Sequence, residues 1–384
     1  MQKIKRSILS TILKKLENNP AVALLGARQV GKSTLAKEIV GHYKNAIYLD
    51  LELDSDREKV EKDAELFFKV NQGKLICLDE IQYLPNIFRT LRGVIDKTRD
   101  NSQFLILGSA SRDLIKQSGE TLAGRISYVE ISPMHREEIK NFNFFDYWLK
   151  GGYPNSVLQI DEELSFDWRN DYIQSFLERD LASLGFRIPA TTLKRFWSMI
   201  AHSQGQVVNY ASLGNSLDVS SHTVKHYIDI LEQTFVLRVL RPYHSNNKKR
   251  LIKSPKIYIR DTGLLHTLLR VEEMNELLGH PGVGASFETL VIENIIQKFP
   301  RFEAYFYRDS SGNEIDLVLV KGMKKIAIEI KSSTAPKLEK GFWSAVKFLK
   351  PDEMWLIGQV DSAYPGSNGV KVTNLDLFLE EFKV

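Results

Sequence analysis

A chain of 384 residues exceeds one ordinary domain and predicts two or three. Its 43% hydrophobic and 26% charged content matches folded globular chains and excludes a disordered or fibrous protein. A formal charge of +4 with a pI near 8.8 admits a nucleic-acid partner without requiring one.

The first twenty residues place Ile4, Ile8, Ile12 and Leu16 at helical spacing among Lys3, Lys5, Arg6, Lys14 and Lys15, which reads as an amphipathic helix and not a signal peptide. No run of about 18 apolar residues follows, so no membrane partner and no spanning helix are expected. The single cysteine, Cys77, lies in an apolar run and cannot form an internal disulfide, which suits a reducing, cytoplasmic setting.

From 21 to 131, short apolar runs at 21–25, 46–49, 75–78, 104–107 and 128–131 alternate with helical patterns. Such alternation predicts an α/β fold with a parallel sheet covered on both faces. Between 144 and 184 strand character disappears. Trp148, Tyr172, Phe176 and Leu177 recur at helical intervals around Gly151, Gly152 and Pro154, predicting a small helical lid. Three helical stretches and two strand runs, 235–240 and 256–259, follow from about 191 to 261, the strands joined by a basic loop at 245–250. Beyond the glycines at 279–284 a further α/β unit is expected.

The octet Gly26-Ala27-Arg28-Gln29-Val30-Gly31-Lys32-Ser33 matches a phosphate-binding loop, and it stands between an apolar strand and a helical run, as that loop requires. Its glycines let successive N–H groups face phosphate oxygens, and the helix dipole adds to the attraction. Lys32 is placed to reach the β- and γ-phosphates of a nucleoside triphosphate, Ser33 to give magnesium a hydroxyl ligand, and Thr34 to continue the loop into the helix. An acid is needed at the end of a neighbouring strand, and Asp79-Glu80 supplies two. Asp79 is expected to hold Mg2+ through water, and Glu80 to act as the general base on attacking water. After the run 104–107, Ser109 is the expected γ-phosphate sensor, while Ser111 suits a helix cap equally well. Arg125 is a candidate for neutralising transition-state charge, in its own subunit or a neighbouring one, or else an ordinary surface ion-pair partner.

With GARQVGKST, CLDEIQYLP, LGSAS, LAGR and then GGYP in this order, the chain resembles a widespread prokaryotic family of AAA-superfamily ATPases, related to archaeal and STAND-type ATPases and carrying a C-terminal domain of unknown function. The resemblance spans nearly the whole chain. It implies a sheet of order 5-1-4-3-2, magnesium and ATP as the bound cofactors, and a winged helix after the lid; homo-oligomers are typical of the wider superfamily. The expected boundaries are therefore 1–143 for an ATPase core, 144–190 for the lid, 191–262 for a winged helix-turn-helix and 263–384 for the last domain.

Residues 210–217 and 221–231 read as the two helices of a helix-turn-helix, joined at Asp218-Val219-Ser220. His222, Lys225 and His226 fall on the exposed side of the second helix, and Lys248, Lys249 and Arg250 occupy the hairpin loop. This pattern suits DNA contact, the helix in the major groove and the loop on phosphates; a packing module with solvated lysines is the alternative.

In the last domain Asp316 is followed by Glu329 and Lys331 on what read as paired strands, with Glu288 on a preceding helix. The order resembles the PD-(D/E)xK nuclease superfamily. That resemblance implies a divalent-metal site of Glu288, Asp316 and Glu329, assisted by Lys331. Such folds also persist as binding modules, so cleavage and an inert scaffold are both left open. The resulting expectation is a Mg2+-dependent ATPase acting on DNA, with a STAND-like regulatory switch bound to a protein partner as the rival.

Overall fold

The computed structural model describes residues 4–109, 122, 124–186, 188–243 and 252–383. It divides into two compact units, Met1–Met134 with Gln233–Phe235, and His135–Glu232 with Val236–Val384.

In the first unit the apolar runs become strands β1 (Ala21–Leu25), β2 (Ala46–Asp50), β3 (Leu75–Asp79), β4 (Phe104–Gly108) and β5 (Ile126–Glu130). Between them stand helices α1 (Leu9–Asn18), which precedes β1, α2 (Lys32–Val40), α3 (Asp54–Glu61), α4 (Ala64–Val70) and α5 (Ile87–Thr98). The sheet order is β2-β3-β4-β1-β5, which is the expected 5-1-4-3-2 arrangement, and all its pairings are parallel. Strands β1, β3 and β4 are buried along their whole length because helices cover both faces. Helix α5 shows how the covering works: Ile87, Phe88, Leu91 and Ile95 recur at helical spacing, and all four are buried. A parallel sheet delivers every strand end of one polarity to a single edge, so the residues after Leu25, Asp79 and Gly108 meet there.

In the second unit α6 (Phe144–Lys150) and α7 (Glu162–Ser175) occupy the segment expected to be a lid. Gly151, between them, has φ +73, and a Cβ there would fall 2.2 Å from Asp261 Oδ1. The neighbouring Gly152 N–H donates to Asp261 Oδ2 at 2.7 Å, so the GGYP segment is anchored on one buried carboxylate. After α8 (Ala190–His202), helices α9 (Tyr210–Leu217) and α10 (Ser221–Gln233) are joined by a tight turn. Asp218 takes φ 56 there, and the Ser220 hydroxyl accepts from Thr223 N–H at 3.1 Å.

Strands β6 (Leu237–Pro242) and β7 (Lys256–Ile259) form an antiparallel pair, followed by α11 (Thr262–Leu269) and α12 (Val283–Lys298). Next come β8 (Glu303–Arg308), β9 (Glu314–Lys321), β10 (Lys324–Ile330), α13 (Lys340–Leu349), β11 (Glu353–Ile357), β12 (Tyr364–Pro365), β13 (Val370–Thr373) and α14 (Leu375–Glu381). These strands share one sheet of order β12-β13-β11-β10-β9-β8-β6-β7. The boundary expected near 262 therefore falls within a shared sheet: β6 pairs in parallel with β8 through Arg241 opposite Tyr305 and Pro242 opposite Phe306. Hydropathy periodicity reports how one segment is exposed and carries nothing about a strand partner some sixty residues away.

Packing around α12 explains several buried charges. Glu293 receives Arg238 at 2.6 and 2.8 Å and Arg260 at 2.9 Å, and this pairing holds its carboxyl down at about 2 although burial acts in the opposite direction. Trp148 Nε1 donates to Ser286 Oγ at 2.9 Å, and that hydroxyl lies 2.7 Å from His266 Nε2. His266 Nδ1 lies 2.9 Å from the Leu149 carbonyl. A neutral ring with its proton on Nδ1 satisfies both contacts, and burial pushes the His266 pKa down to about 3.

Candidate functional site

The phosphate loop is shaped by two glycines acting for different reasons. Gly31 has φ 92, a left-handed conformation that side chains resist. Gly26 lies against the end of β5, where a Cβ would be 2.0 Å from the Ile131 carbonyl oxygen. Arg6 also holds the loop: its Nη1 donates to the Val30 carbonyl and its Nη2 to the Ser132 carbonyl, both at 2.8 Å. It is a clamp that the sequence reading missed. An arginine in an amphipathic N-terminal segment carries no signal of a partner 126 positions away.

Of the loop residues, Gly26, Ala27 and Val30 are buried, Arg28 and Gly31 are partly exposed, and Gln29 is exposed in a left-handed conformation. Lys32 is 4% exposed, and its ammonium donates to the carbonyls of Gly26 at 3.0 Å and Ala27 at 2.8 Å. It also lies 3.4 Å from Ser109 Oγ. Ser33 is partly exposed and Thr34 exposed at the start of α2.

Asp79 ends β3 at 2% exposure. Its Oδ1 accepts the Glu80 N–H at 2.9 Å, and its Oδ2 accepts the Tyr48 hydroxyl. Burial first and Asp79 second push the Tyr48 pKa upward, with Ser33 counteracting. Tyr48 was not anticipated, since an aromatic residue in an edge strand reads as packing. Glu80 has φ 53, an uncommon conformation for a residue with a side chain, which turns it off the strand axis. Ser109 Oγ donates to the Glu80 carboxylate at 3.0 and 3.2 Å, and Gln82 also bonds to it. Lys32, Asp79, Glu80 and Ser109 therefore meet at one sheet edge, while Ser111 lies outside the described residues.

Arg125 belongs elsewhere. It precedes β5, at the end of the sheet opposite the loop, since Ile126 pairs with Ala21 at the start of β1 and the loop follows Leu25 at its end. Its guanidinium forms two hydrogen bonds to Asp96, at 2.6 and 3.2 Å. Roughly four strand steps of about 3.3 Å separate it from the loop, so its own subunit's phosphates are out of reach. Within one chain Arg125 makes the surface ion pair with Asp96.

Among the described residues no three His, Cys, Asp or Glu side chains converge as a metal cage. A cation at the loop would instead take the Ser33 hydroxyl, phosphate oxygens and water, with Asp79 outside them, a hard-oxygen set that suits Mg2+. In the second unit Asp316 and Glu329 do come together: Ile328 pairs with Leu317, which puts Glu329 across from Asp316, and Lys331 bonds Glu329 at 2.8 Å. Burial, then the Asp316 charge, raises the Glu329 pKa to about 8, with Lys331 opposing. The expected metal site of Glu288, Asp316 and Glu329 is corrected by the structure, because the Lys256 ammonium stands among the carboxylates, 3.0 Å from Glu288 and 3.7 Å from Asp316. These residues do not fit a metal as they stand. On α10, His222, Lys225 and His226 are exposed. Lys248, Lys249 and Arg250 lie outside the described residues.

Residues 18–140 match a family model described as an AAA domain. Residues 141–275 and 283–378 match two models described as domains of unknown function (DUF8612 and DUF4143). An uncharacterized protein of Mycobacterium tuberculosis is 37% identical over 375 residues, covering 98% of this chain and 84% of its own length. The chain belongs to a prokaryotic family of AAA ATPases. An uncharacterized protein of Methanocaldococcus jannaschii is similar to this AAA ATPase at 21% identity, over 88% of this chain and 82% of the relative. Among solved structures, the Walker-type ATPase of Pyrococcus abyssi has a TM-score of 0.48 at 15% identity, covering 70% of this chain and 96% of that one. A STAND protein with a tetratricopeptide repeat sensor from Pyrococcus horikoshii has a TM-score of 0.29 at 12% identity, covering 77% and 48%. No described helix of this AAA ATPase is long and apolar enough to cross a membrane.

Proposed function

We propose that this AAA ATPase binds ATP with Mg2+ on the loop 26–34, hydrolyses it, and uses the cycle to change its hold on duplex DNA. The observation that carries the reading is the convergence of Lys32, Asp79, Glu80 and Ser109 at one sheet edge. Lys32 leaves the carbonyls of Gly26 and Ala27 for phosphate oxygens, exchanging neutral acceptors for charged ones. Ser33, and Asp79 through water, would hold the cation, which would neutralise charge on the phosphates. Glu80 accepts a proton from attacking water, and Ser109, already bonded to it, aligns its carboxylate. Phosphoryl transfer depends mainly on such positioning.

The DNA part of the proposal is supported by α9 and α10, whose turn leaves His222, Lys225 and His226 exposed on one helix. A second reading, a nucleotide-driven switch that binds a protein partner, is favoured by the filled carboxylate cluster, which removes metal-dependent cleavage from the proposal. ATP turnover with and without single-stranded, duplex and branched DNA decides between them. Stimulation by DNA that weakens at higher salt and on Lys225→Ala supports DNA contact. Turnover indifferent to every DNA at low salt leaves the protein-partner switch.

A further inference from the structure

Lys256, the first residue of β7, is 2% exposed, and ammonium groups are rarely buried unless fully partnered. Its Nζ donates to Glu288 Oε1 at 3.0 Å and Glu314 Oε1 at 2.5 Å and lies 3.7 Å from Asp316 Oδ1. Carboxylates from α12 and from two same-face positions of β9 thus surround one nitrogen. Further donors hold the same carboxylates. Tyr258 also donates to Glu288 Oε1 at 2.6 Å, Arg308 reaches Glu314 Oε2 at 3.1 Å, and the Ile330 N–H reaches Asp316 Oδ2 at 2.9 Å.

A second, independent observation comes from Glu329. It is 6% exposed; one carboxylate oxygen takes Lys331, while Oε2 is buried with no hydrogen-bond partner. A buried carboxylate oxygen without a donor is costly and calls for a compensating partner.

We infer that Lys256 is the built-in counter-ion of this cluster, its ammonium standing where a divalent cation would stand, so that the β8–β10 sheet is a metal-independent unit enclosing a latent cation site. The lysine cannot simply swing aside. Its strand pairs at Leu240, residue 256 also bridges Val207, and its ammonium lies 5.7 Å from the Phe306 ring centre. A metal entering the cluster must displace a tethered cation as well as its own water. The same contacts fasten β7 to β9 and α12, which gives the lysine a structural role in joining the hairpin to the sheet. The inference is independent of ATP chemistry.

The test uses the full-length chain without nucleotide, with bound Mn2+ counted by the loss of the free-ion electron paramagnetic resonance signal. Lys256→Met is expected to take up about one more Mn2+ per chain than the wild type, since one cation is removed from the cluster. Mn2+ should also raise its melting temperature, and adding Asp316→Asn should abolish both effects. Wild-type protein that binds the same Mn2+, and loses it on Asp316→Asn, overturns the inference, as does folded Lys256→Met that binds none. If Lys256→Met does not fold in either condition, the double variant Lys256→Met/Glu314→Gln, which removes one repelling charge, is measured in the same way. Folding restored by Mn2+ in either variant counts in favour; a folded double variant indifferent to Mn2+ counts against.

Discussion

Replacing Gly26 by alanine tests whether the loop's fit against β5 matters as much as its glycine flexibility. The added Cβ would meet the Ile131 carbonyl oxygen at 2.0 Å and its carbon at 3.0 Å. That carbonyl belongs to backbone fixed by the Ile131 N–H donating to Leu25 at 2.6 Å, so neither side retreats freely. Restoring ordinary contact requires a shift of about 1 Å, an overpacking cost of about 1–3 kcal/mol in a well-packed site. For a unit of this size that lowers the melting temperature by about 3–10 °C. A shift of about 1 Å at the phosphates should cost about a hundredfold in turnover. The assay is a thermal melt, a calorimetric ATP titration and steady-state phosphate release on the same preparation. An alanine variant with wild-type melting temperature, ATP affinity and turnover would refute the claim that loop and β5 touch.

Three further outcomes follow from the geometry. Ser109→Ala breaks the hydrogen bonds to Glu80 and the long one from Lys32, which keeps its shorter bonds to the Gly26 and Ala27 carbonyls, so ATP affinity should hold while kcat falls at least about tenfold; equal losses in affinity and kcat would assign Ser109 to binding instead. Arg125→Ala, which removes the exposed pairing with Asp96, should keep both ATP binding and turnover; lost turnover in an assembled form would mean that Arg125 acts on a neighbouring subunit's nucleotide. The pH dependence should carry the mark of His266, whose folded pKa of about 3 lies below the usual 6.5. A depressed folded pKa gives stability that is complete above 6.5 and lost as pH falls towards 3. Between pH 6.5 and 5 this one group should cost the wild type about 2 kcal/mol. His266→Gln, which cannot take the proton, should show a flatter curve in denaturant unfolding over that range, and parallel curves would mean that the ring is not held neutral.

How much could be read in advance depended on whether the information was local. The loop 26–33, the acids 79–80 and the strands around them were legible because a phosphate loop is a contiguous pattern and parallel strands buried on both faces are short apolar runs. Order along the sheet came from family resemblance, and the pairings agree with it. The Asp316 and Glu329 juxtaposition was also legible, since two strands joined by a turn at Gly322 pair in a register the turn constrains. The tertiary structure alone decided where distant charges went. It set Arg6 on Val30 and Ser132, Arg125 on Asp96, and the Tyr48 hydroxyl on Asp79. It carried Lys256 from one strand into carboxylates on another and on α12. A charged residue looks the same in a sequence whether it is solvated or buried against a partner, because its cost and its compensation both arise only when remote segments exclude water together.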